Sequence, residues 1–461
     1  MPQIITADLT STGYTLQTTQ ADDFIFVAEG VLVSNSNSGQ YPAYATVGVF
    51  HENNRIGVAG TLMSGGGATI YSLYANNTVT VTSTGTILGL GTIWDAVDFR
   101  AAGAQVFNNG DITGMRSAIV SEVRDTVVFN TGVISGVTFG VDGATRVENL
   151  GTIRGATAVS MSGGSDTLIN TGSLVGNVLL GEGDDLFDTI GGWLTGSVTG
   201  GGGNDIYRTD TGLLQIVEAI GGGVADRVES TVDFDLATAS NVENLTLLGN
   251  AARGQGNAQD NIVTGNGSDN LILGRDGLDT LYGGIGNDSL RGDAGDDVLQ
   301  GDAGDDHLRG GSGSDTLYGG DGEDRLLGDA AADRLYGGDG DDVLIGGAGR
   351  DTLYGGADAD TFLFRFAADS GPGSILRDLI LGYETGLDLI DLSQIDANTN
   401  LAANQAFTWI GTAAFSSIAG QLRLITGANS ILQADATGDG VADFEVQLNA
   451  IATISVNDIL L

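Results

Sequence analysis

The chain has 461 residues, 41% of them hydrophobic, so it is long enough for about three domains with buried cores. It carries 59 acidic and 18 basic residues, and its net charge of −41 excludes nucleic-acid backbones as natural partners. The absence of cysteine excludes disulfide bonds and thiol chemistry.

The first predicted domain, residues 1–205, is a parallel β-helix with an N-terminal cap over residues 1–54. A motif of glycine, any residue, an aliphatic residue, any residue and glycine recurs in it at intervals of 19 to 25 residues. A repeat of about twenty residues with two or three short strands is typical of a parallel β-helix. The clear copies start at Gly85, Gly110, Gly132, Gly151, Gly172 and Gly192.

An amide residue ends the strand that precedes several copies, as at Asn108, Asn130 and Asn170. We expect these asparagines to stack as a ladder at an inward position or a corner of the coils.

Two acidic glycine loops close the first domain. Residues 181–185 read G-E-G-D-D, and residues 201–205 read G-G-G-N-D. Asp185 and Asp205 are one coil apart, so their spacing allows a shared calcium ion, and the alternative is two solvated acidic turns. Residues 206–255 follow as a connecting β segment.

The third predicted domain, residues 256–363, contains ten consecutive nonapeptides that approximate G-G-x-G-x-D-x-L-x. Frequent glycine disfavours a helix and permits turns with positive φ, so each repeat is predicted to be a turn plus a short strand. Two repeats form an eighteen-residue coil, and coils stack about 4.8 Å apart. The inward residues are Leu281, Leu290, Leu299, Leu308, Leu317, Leu326, Leu335, Leu344, Leu353 and Phe362.

Stacked coils would place the aspartates of the repeats in two columns. The first holds Asp279, Asp297, Asp315, Asp333 and Asp351, and the second holds Asp288, Asp306, Asp324, Asp342 and Asp360. Without cations each column repels itself. Calcium accepts six to eight irregular oxygen ligands, whereas magnesium demands octahedra, so four gaps per column predict on the order of eight calcium ions.

This block resembles the calcium-binding repeats of RTX proteins. The resemblance implies a parallel β-roll in which the first six residues of each repeat form an ion loop. It adds to the ten aspartates the loop glycines Gly283, Gly284, Gly286, Gly292, Gly295, Gly301, Gly304, Gly310, Gly311, Gly313, Gly319, Gly320, Gly322, Gly337, Gly338, Gly340, Gly346, Gly347 and Gly349. Ala331 and Asp358 replace expected glycines and weaken the prediction for their two loops. A disordered acidic linker would not keep leucine in phase through the block.

The last predicted domain, residues 364–461, resembles the C-terminal domain of serralysin-type secreted proteases. The likeness is carried by A-D-T-F-L-F at 359–364, D-L-I-D-L-S-Q-I-D at 388–396, and residues 435–444. In that family the domain caps the β-roll and carries an uncleaved type I secretion signal, which the final N-D-I-L-L resembles. The resemblance implies a type I secretion apparatus as partner and export to the medium or cell surface of a Gram-negative bacterium.

Export by another route is not indicated, because residues 1–19 lack the basic and apolar regions of a secretory signal peptide. No run of eighteen apolar residues predicts a membrane span. Within the last domain, residues 435–443 partly imitate an EF-hand loop but lack its final glutamate, so either an ion or an Asp-Gly turn fits them.

No catalytic motif accompanies these domains. Serralysins bind zinc through H-E-x-x-H, and here His51 begins such a motif that ends in arginine, while His307 lies far away in the sequence. We predict a non-catalytic secreted protein that serves as a structural, adhesion, surface-layer or matrix component. Self-association through open solenoid ends and a cell-surface or polysaccharide ligand are its candidate interactions.

The alternative function is a polysaccharide lyase or epimerase, because a β-helix followed by RTX repeats resembles the architecture of alginate epimerases and pectate lyases. A cleft where Asp142, Arg146 or Arg154 converge near a tyrosine would favour catalysis. A flat face of threonine and asparagine would favour adhesion or assembly.

Overall fold

The computed structural model describes residues 3–5, 9–11, 16–17, 23–35, 47–64, 68–90, 95–122, 125–136, 139–161, 163–399, 401 and 404–461. These residues are mostly strands, with short 3-10 helices at Leu236–Thr238, Ala367–Ser370 and Val456–Asp458, which confirms the predicted all-β class. A search of the same residues for a helix able to cross a membrane finds none. The chain divides into an N-terminal unit, residues 1–229 with 238–242, and a C-terminal unit, residues 230–237 with 243–461.

The N-terminal unit is a parallel β-helix, as predicted, and its strands stack in three columns. The first column contains Gln3–Ile5, Phe24–Val27, Arg55–Val58, Thr78–Val81, Gln105–Asn108, Val127–Asn130, Arg146–Asn149, Thr167–Asn170, Leu186–Asp188 and Ile206–Thr209. The second contains Leu9–Ser11, Leu32–Asn35, Thr61–Ser64, Thr86–Gly89, Asp111–Gly114, Val133–Gly136, Thr152–Met161, Ser173–Glu182 and Trp193–Leu194.

The third column continues from the second around each coil. It contains Leu16–Gln17, Val47–Val49, Ile70–Ser72, Val97–Phe99, Ser117–Ser121, Phe139–Ala144, Ser197–Gly202 and Gln215–Val217. The later parts of the ten-residue strands Thr152–Met161 and Ser173–Glu182 also belong to it. The strand Arg227–Ser230 follows. In five copies of the five-residue motif the aliphatic residue points inward and is fully buried, as at Ile87, Ile112, Ile134, Ile153 and Leu174. Leu194 of the last copy is half-buried.

Buried asparagines form the expected ladder along the first column. The side-chain Nδ2 of Asn108 donates to Oδ1 of Asn130, Asn130 donates to Asn149, and Asn149 donates to Asn170, each over 2.7 Å. Each amide also reaches backbone carbonyls, as Asn130 does at Gly132. Because these polar groups are buried, each paired bond contributes on the order of 1 kcal/mol, and an unpaired group would cost more. The ladder therefore stabilises these coils without any metal.

The C-terminal unit begins as a two-sided solenoid in which residues eighteen apart lie side by side. Thr280 pairs with Val298 on one side, and Ser289 pairs with His307 on the other. One side contains Asn244–Leu247, Ile262–Thr264, Thr280–Ile285, Val298–Ala303, Thr316–Asp321, Arg334–Asp339, Thr352–Ala357 and Asp378–Leu381. The other contains Phe234–Asp235, Arg253–Gln255, Leu271–Asp276, Ser289–Ala294, His307–Ser312, Arg325–Ala330, Val343–Ala348, Thr361–Leu363, Leu389–Asp391 and Ile459–Leu460.

The inward residue of every nonapeptide is buried, as the repeat pattern predicts. The nine leucines and Phe362 are each at most 2% exposed. After residue 364 the parallel pattern gives way to an antiparallel meander of Gln421–Ile425, Ser430–Asp435 and Phe444–Leu448, with Thr408–Trp409 at its edge. Phe444–Leu448 also pairs in parallel with Asp378–Leu381, which joins the meander to the stacked coils.

Candidate metal-binding ladders

The ten repeat aspartates form two buried ladders, in the two columns expected from the sequence. Within each ladder, Oδ1 of every aspartate after the first accepts a hydrogen bond from the backbone N–H of the aspartate one coil earlier. In the first ladder the N···O distances are 2.8 Å for Asp279–Asp297, Asp297–Asp315 and Asp315–Asp333, and 2.9 Å for Asp333–Asp351. In the second they are 2.7 Å for Asp288–Asp306 and Asp306–Asp324, 2.8 Å for Asp324–Asp342 and 3.1 Å for Asp342–Asp360.

The second oxygen, Oδ2, of every ladder aspartate is buried and has no hydrogen-bond partner. It faces the α-carbon of the first glycine of its own repeat, where a β-carbon would collide with it. Near Gly274, Gly283, Gly301, Gly319, Gly328 and Gly337, the carbonyl oxygen of the first glycine one coil later faces the same space.

Acceptor oxygens that converge without a donor need either a proton or a cation. Hard carboxylate and carbonyl oxygens in irregular glycine turns suit calcium. The residues present therefore fit this ion.

The loop glycines separate into two roles. The first glycine of each repeat, including Gly283, Gly292, Gly301, Gly310, Gly319, Gly337 and Gly346, leaves room for Oδ2. The others hold left-handed turns with φ from +97° to +157°, and they are Gly284, Gly286, Gly295, Gly304, Gly311, Gly313, Gly320, Gly322, Gly338, Gly340, Gly347 and Gly349. Ala331 and Asp358 keep the same turn at φ of +86° and +74°, at a strain of roughly 1–3 kcal/mol each. Their loops thus preserve the backbone path of the other repeats.

Both ladders extend beyond the nonapeptides. Upstream, the backbone N–H groups of Asn261 and Asn270 donate to Oδ1 of Asp279 and Asp288 at 2.8 and 2.6 Å. Downstream, Asp351 N–H donates to Asp378 Oδ1 at 2.8 Å, and Asp360 N–H donates to Asp388 Oδ1 at 3.1 Å. Sequence reasoning missed Asp378, whose buried Oδ2 also has no partner.

A third ladder lies in the N-terminal unit and includes the two aspartates singled out from the sequence. The backbone N–H of Asp185 donates to Asp205 Oδ1 at 2.8 Å, and that of Asp205 donates to Asp226 Oδ1 at 2.7 Å. Oδ2 of Asp185 and of Asp205 is buried without a hydrogen-bond partner. Glu218 and Tyr207, which sequence reasoning did not single out, lie beside Asp205.

Burial raises the pKa of nearly all these carboxyl groups well above the ordinary value near 4. The pKa is raised to about 8 for Asp333, to about 7 for Asp279, Asp306, Asp315, Asp342 and Asp360, and to about 6 for Asp297, Asp324 and Asp351. The pKa of Asp288 is also raised. Outside the nonapeptides, the pKa is raised to about 9 for Asp378 and to about 7 for Asp185 and Asp205. The cation-free fold thus holds protons that a calcium ion would displace.

The loop at residues 435–443 has the contacts of a turn. Asp435 accepts from the backbone N–H groups of Gly438 and Gly440, at 2.6 and 2.9 Å. Asp443 accepts from those of Ala436 and Thr437, at 2.8 and 2.9 Å. These contacts within the loop are those of the Asp-Gly turn.

The residues considered as a catalytic cluster make separate contacts. Arg146 pairs with Glu148 in its own first-column strand, at 2.5 Å, whereas Arg154 donates to Ser135 in the second column at 3.2 Å. The side chain of Asp142 lies outside the described part of the structure. His51 lies in a bend and stacks on Tyr74 with ring centroids 6.1 Å apart. His307 is exposed.

Comparison with known proteins identifies the repeat block. Residues 255–290, 291–326 and 327–362 each match a family model described as the RTX calcium-binding nonapeptide repeat in four copies. Two similar solved structures are the AlgE6R3 and AlgE6R2 subunits of the mannuronan C5-epimerase from Azotobacter vinelandii. Their sequences are 30% and 28% identical to this one. Each match covers 37% of this chain, and the two matches cover 80% and 91% of the respective subunits. The TM-scores are 0.24 and 0.25. A search of curated proteins finds no match.

Proposed function

Because the chain belongs to the proteins that contain RTX calcium-binding nonapeptide repeats, we propose that it is a secreted protein that folds on extracellular calcium. In this proposal it is a structural, adhesion, surface-layer or matrix component. The supporting observation is the row of buried Oδ2 atoms that have no hydrogen-bond partner. Extracellular calcium-binding modules typically have dissociation constants of about 10⁻⁴ to 10⁻³ M, so such a ladder is stable where calcium is that plentiful.

The proposed ligands are Oδ2 of each ladder aspartate and the carbonyl oxygens of the repeat glycines that face it. They extend from the sequence-predicted residues to Asp378, which continues the first ladder by one further coil. Calcium ions in these gaps would neutralise the stacked charge and fix the distance between coils. A stiff solenoid of this kind suits a load-bearing or displaying role outside the cell.

Residues 364–461 are proposed to cap the solenoid and to carry the type I secretion signal. We expect a passenger protein fused to residues 364–461 to reach the medium of Gram-negative cells that contain a type I apparatus. The same passenger fused to residues 256–363 is the control, and we expect it to stay in the cells. Immunoblots of medium and cells measure both. Retention of the first fusion would contradict the proposed signal.

We further expect the calcium-saturated chain to leave polysaccharides chemically unchanged. The separate contacts of Arg146 and Arg154 support this absence of catalysis. Alginate and pectin would be incubated with the chain, with ultraviolet absorbance reporting new unsaturated ends and proton NMR reporting epimerised residues. A signal in either assay would overturn the non-catalytic proposal and favour a lyase or an epimerase. Sedimentation of the chain with the same polymers would separately measure binding.

A further inference from the structure

Three acidic side chains meet in the N-terminal unit, outside the repeat block. They are Asp205, Glu218 and Asp226, at 0%, 7% and 1% exposure. One carboxylate oxygen from each lies within 4.8 Å of the others. Asp205 and Asp226 are consecutive members of the third ladder, and Glu218 enters from the segment that follows the strand Gln215–Val217. Buried carboxylates this close to one another repel strongly unless a proton or a cation is shared among them.

A second observation shows where a cation would bind. Oδ2 of Asp205 is buried without a hydrogen-bond partner. It faces the α-carbon of Gly200, and Oε1 of Glu218 and the hydroxyl of Tyr207 face the same point. A β-carbon at residue 200 would collide with all three oxygens, so glycine keeps this space open.

The arginines that flank the cluster in sequence, Arg208 and Arg227, both pair with a carboxylate outside it. Arg208 Nε lies 2.7 Å from Glu229 Oε2, and Arg227 Nε lies 3.2 Å from Glu229 Oε1. Both guanidinium groups are thus directed to Glu229, in the strand Arg227–Ser230.

We propose that Asp205, Glu218 and Asp226 form a calcium site that is separate from the nonapeptide ladders. The donor set is oxygen only, which suits calcium, magnesium or manganese and disfavours zinc and copper. Asp205 is held by its hydrogen bond from Asp185, and Tyr207 contacts Glu218, so the oxygens are not free to form a regular octahedron. That constraint selects calcium over magnesium. The site gives the N-terminal unit a calcium dependence of its own.

The test is the number of calcium ions bound by the full chain, counted by native mass spectrometry at saturating calcium. Glu218→Gln keeps an oxygen that can accept from Tyr207 but removes the charge, and it should bind one ion fewer than the unaltered chain. Glu29→Gln makes the same chemical change at an exposed position of the same unit, outside every ladder, and should bind the full number. Equal counts in both variants would overturn the proposal and leave a shared proton as the explanation.

A second measurement does not depend on a variant that folds. Crystals of the unaltered chain soaked in terbium should show an anomalous peak about 2.3–2.6 Å from the oxygens of the three carboxylates. Peaks confined to the nonapeptide ladders, with none among Asp205, Glu218 and Asp226, would also refute the site.

Discussion

At pH 8, removal of calcium by a chelator will unfold the nonapeptide ladders, and millimolar calcium will restore them. The ladders place ten aspartates in two buried columns, each with an oxygen that lacks a hydrogen-bond partner. Without calcium these columns hold either repelling charges or protons with strongly raised pKa values. Circular dichroism should show loss of much of the strand signal on chelation, and a calcium titration should recover it cooperatively.

The expected size of the effect follows from mass action. At about 10 mM calcium, a site with a Kd of about 1 mM stabilises the folded form by about 1.4 kcal/mol, so about eight sites contribute roughly 11 kcal/mol. Folded domains are stable by only about 5–15 kcal/mol in total. Loss of the ions therefore removes most of the stability of this region.

The location of the loss is as informative as its size. Hydrogen exchange measured by mass spectrometry should show protection lost in residues 256–363 after chelation. Residues 105–180 should keep more of their protection, because the Asn108 to Asn170 ladder pairs its own polar groups. If chelation left the melting temperature and the protection of residues 256–363 unchanged, the ion-dependent fold would be wrong.

A matched pair of variants links the effect to the ladder oxygens. Asp324→Asn replaces the buried Oδ2 with an amide donor while Oδ1 can still accept from Asp306, so unfolding free energy at about 10 mM calcium should fall by at least about 1.4 kcal/mol. Asp321→Asn removes an exposed charge from the same repeat and should change it by less than about 0.5 kcal/mol. Equal effects would mean that net charge, and not the ladder geometry, controls stability.

The regular parts of this architecture were predictable because their spacing is constant. A strict period of nine places leucine inward and aspartate in two columns, since each coil contains the same number of residues. The β-helix was predictable from a looser glycine motif, because glycine is needed wherever backbones of neighbouring coils approach closely.

The members that sequence reasoning missed lie where the coil length changes. Asp378 continues the first ladder 27 residues after Asp351, instead of 18. Asp226 follows Asp205 after 21 residues, whereas Asp205 follows Asp185 after 20. Between Asp351 and Asp378, the segment that connects the strands Thr361–Leu363 and Asp378–Leu381 is longer and contains the 3-10 helix Ala367–Ser370. Spatial neighbours therefore lose their fixed spacing in the sequence. Glu218 belongs to no repeat at all, and only the fold brings it to Asp205.

The second large effect that we expect is that calcium reverses the direction in which the stability of the fold depends on pH. In the calcium-free chain, burial raises the pKa of Asp333 to about 8 and that of Asp279 to about 7, compared with about 4 in an unfolded chain. Between these values the folded form binds more protons than the unfolded form, so stability falls as pH rises. In chelator the ladders should therefore be most stable at pH 5, and their melting temperature should decrease as the pH rises towards 8, where they unfold.

With calcium present the sign is the opposite, because calcium binds the carboxylates only after their protons leave. Calcium affinity therefore rises with pH over the same window, and the melting temperature in millimolar calcium should rise or stay level from pH 5 to pH 8. The difference between the two melting temperatures should be smallest at pH 5 and largest at pH 8. Differential scanning calorimetry of one preparation, with and without chelator, measures both curves. A calcium-free chain that became more stable with rising pH would show that the ladder carboxyls are not buried as the structure places them.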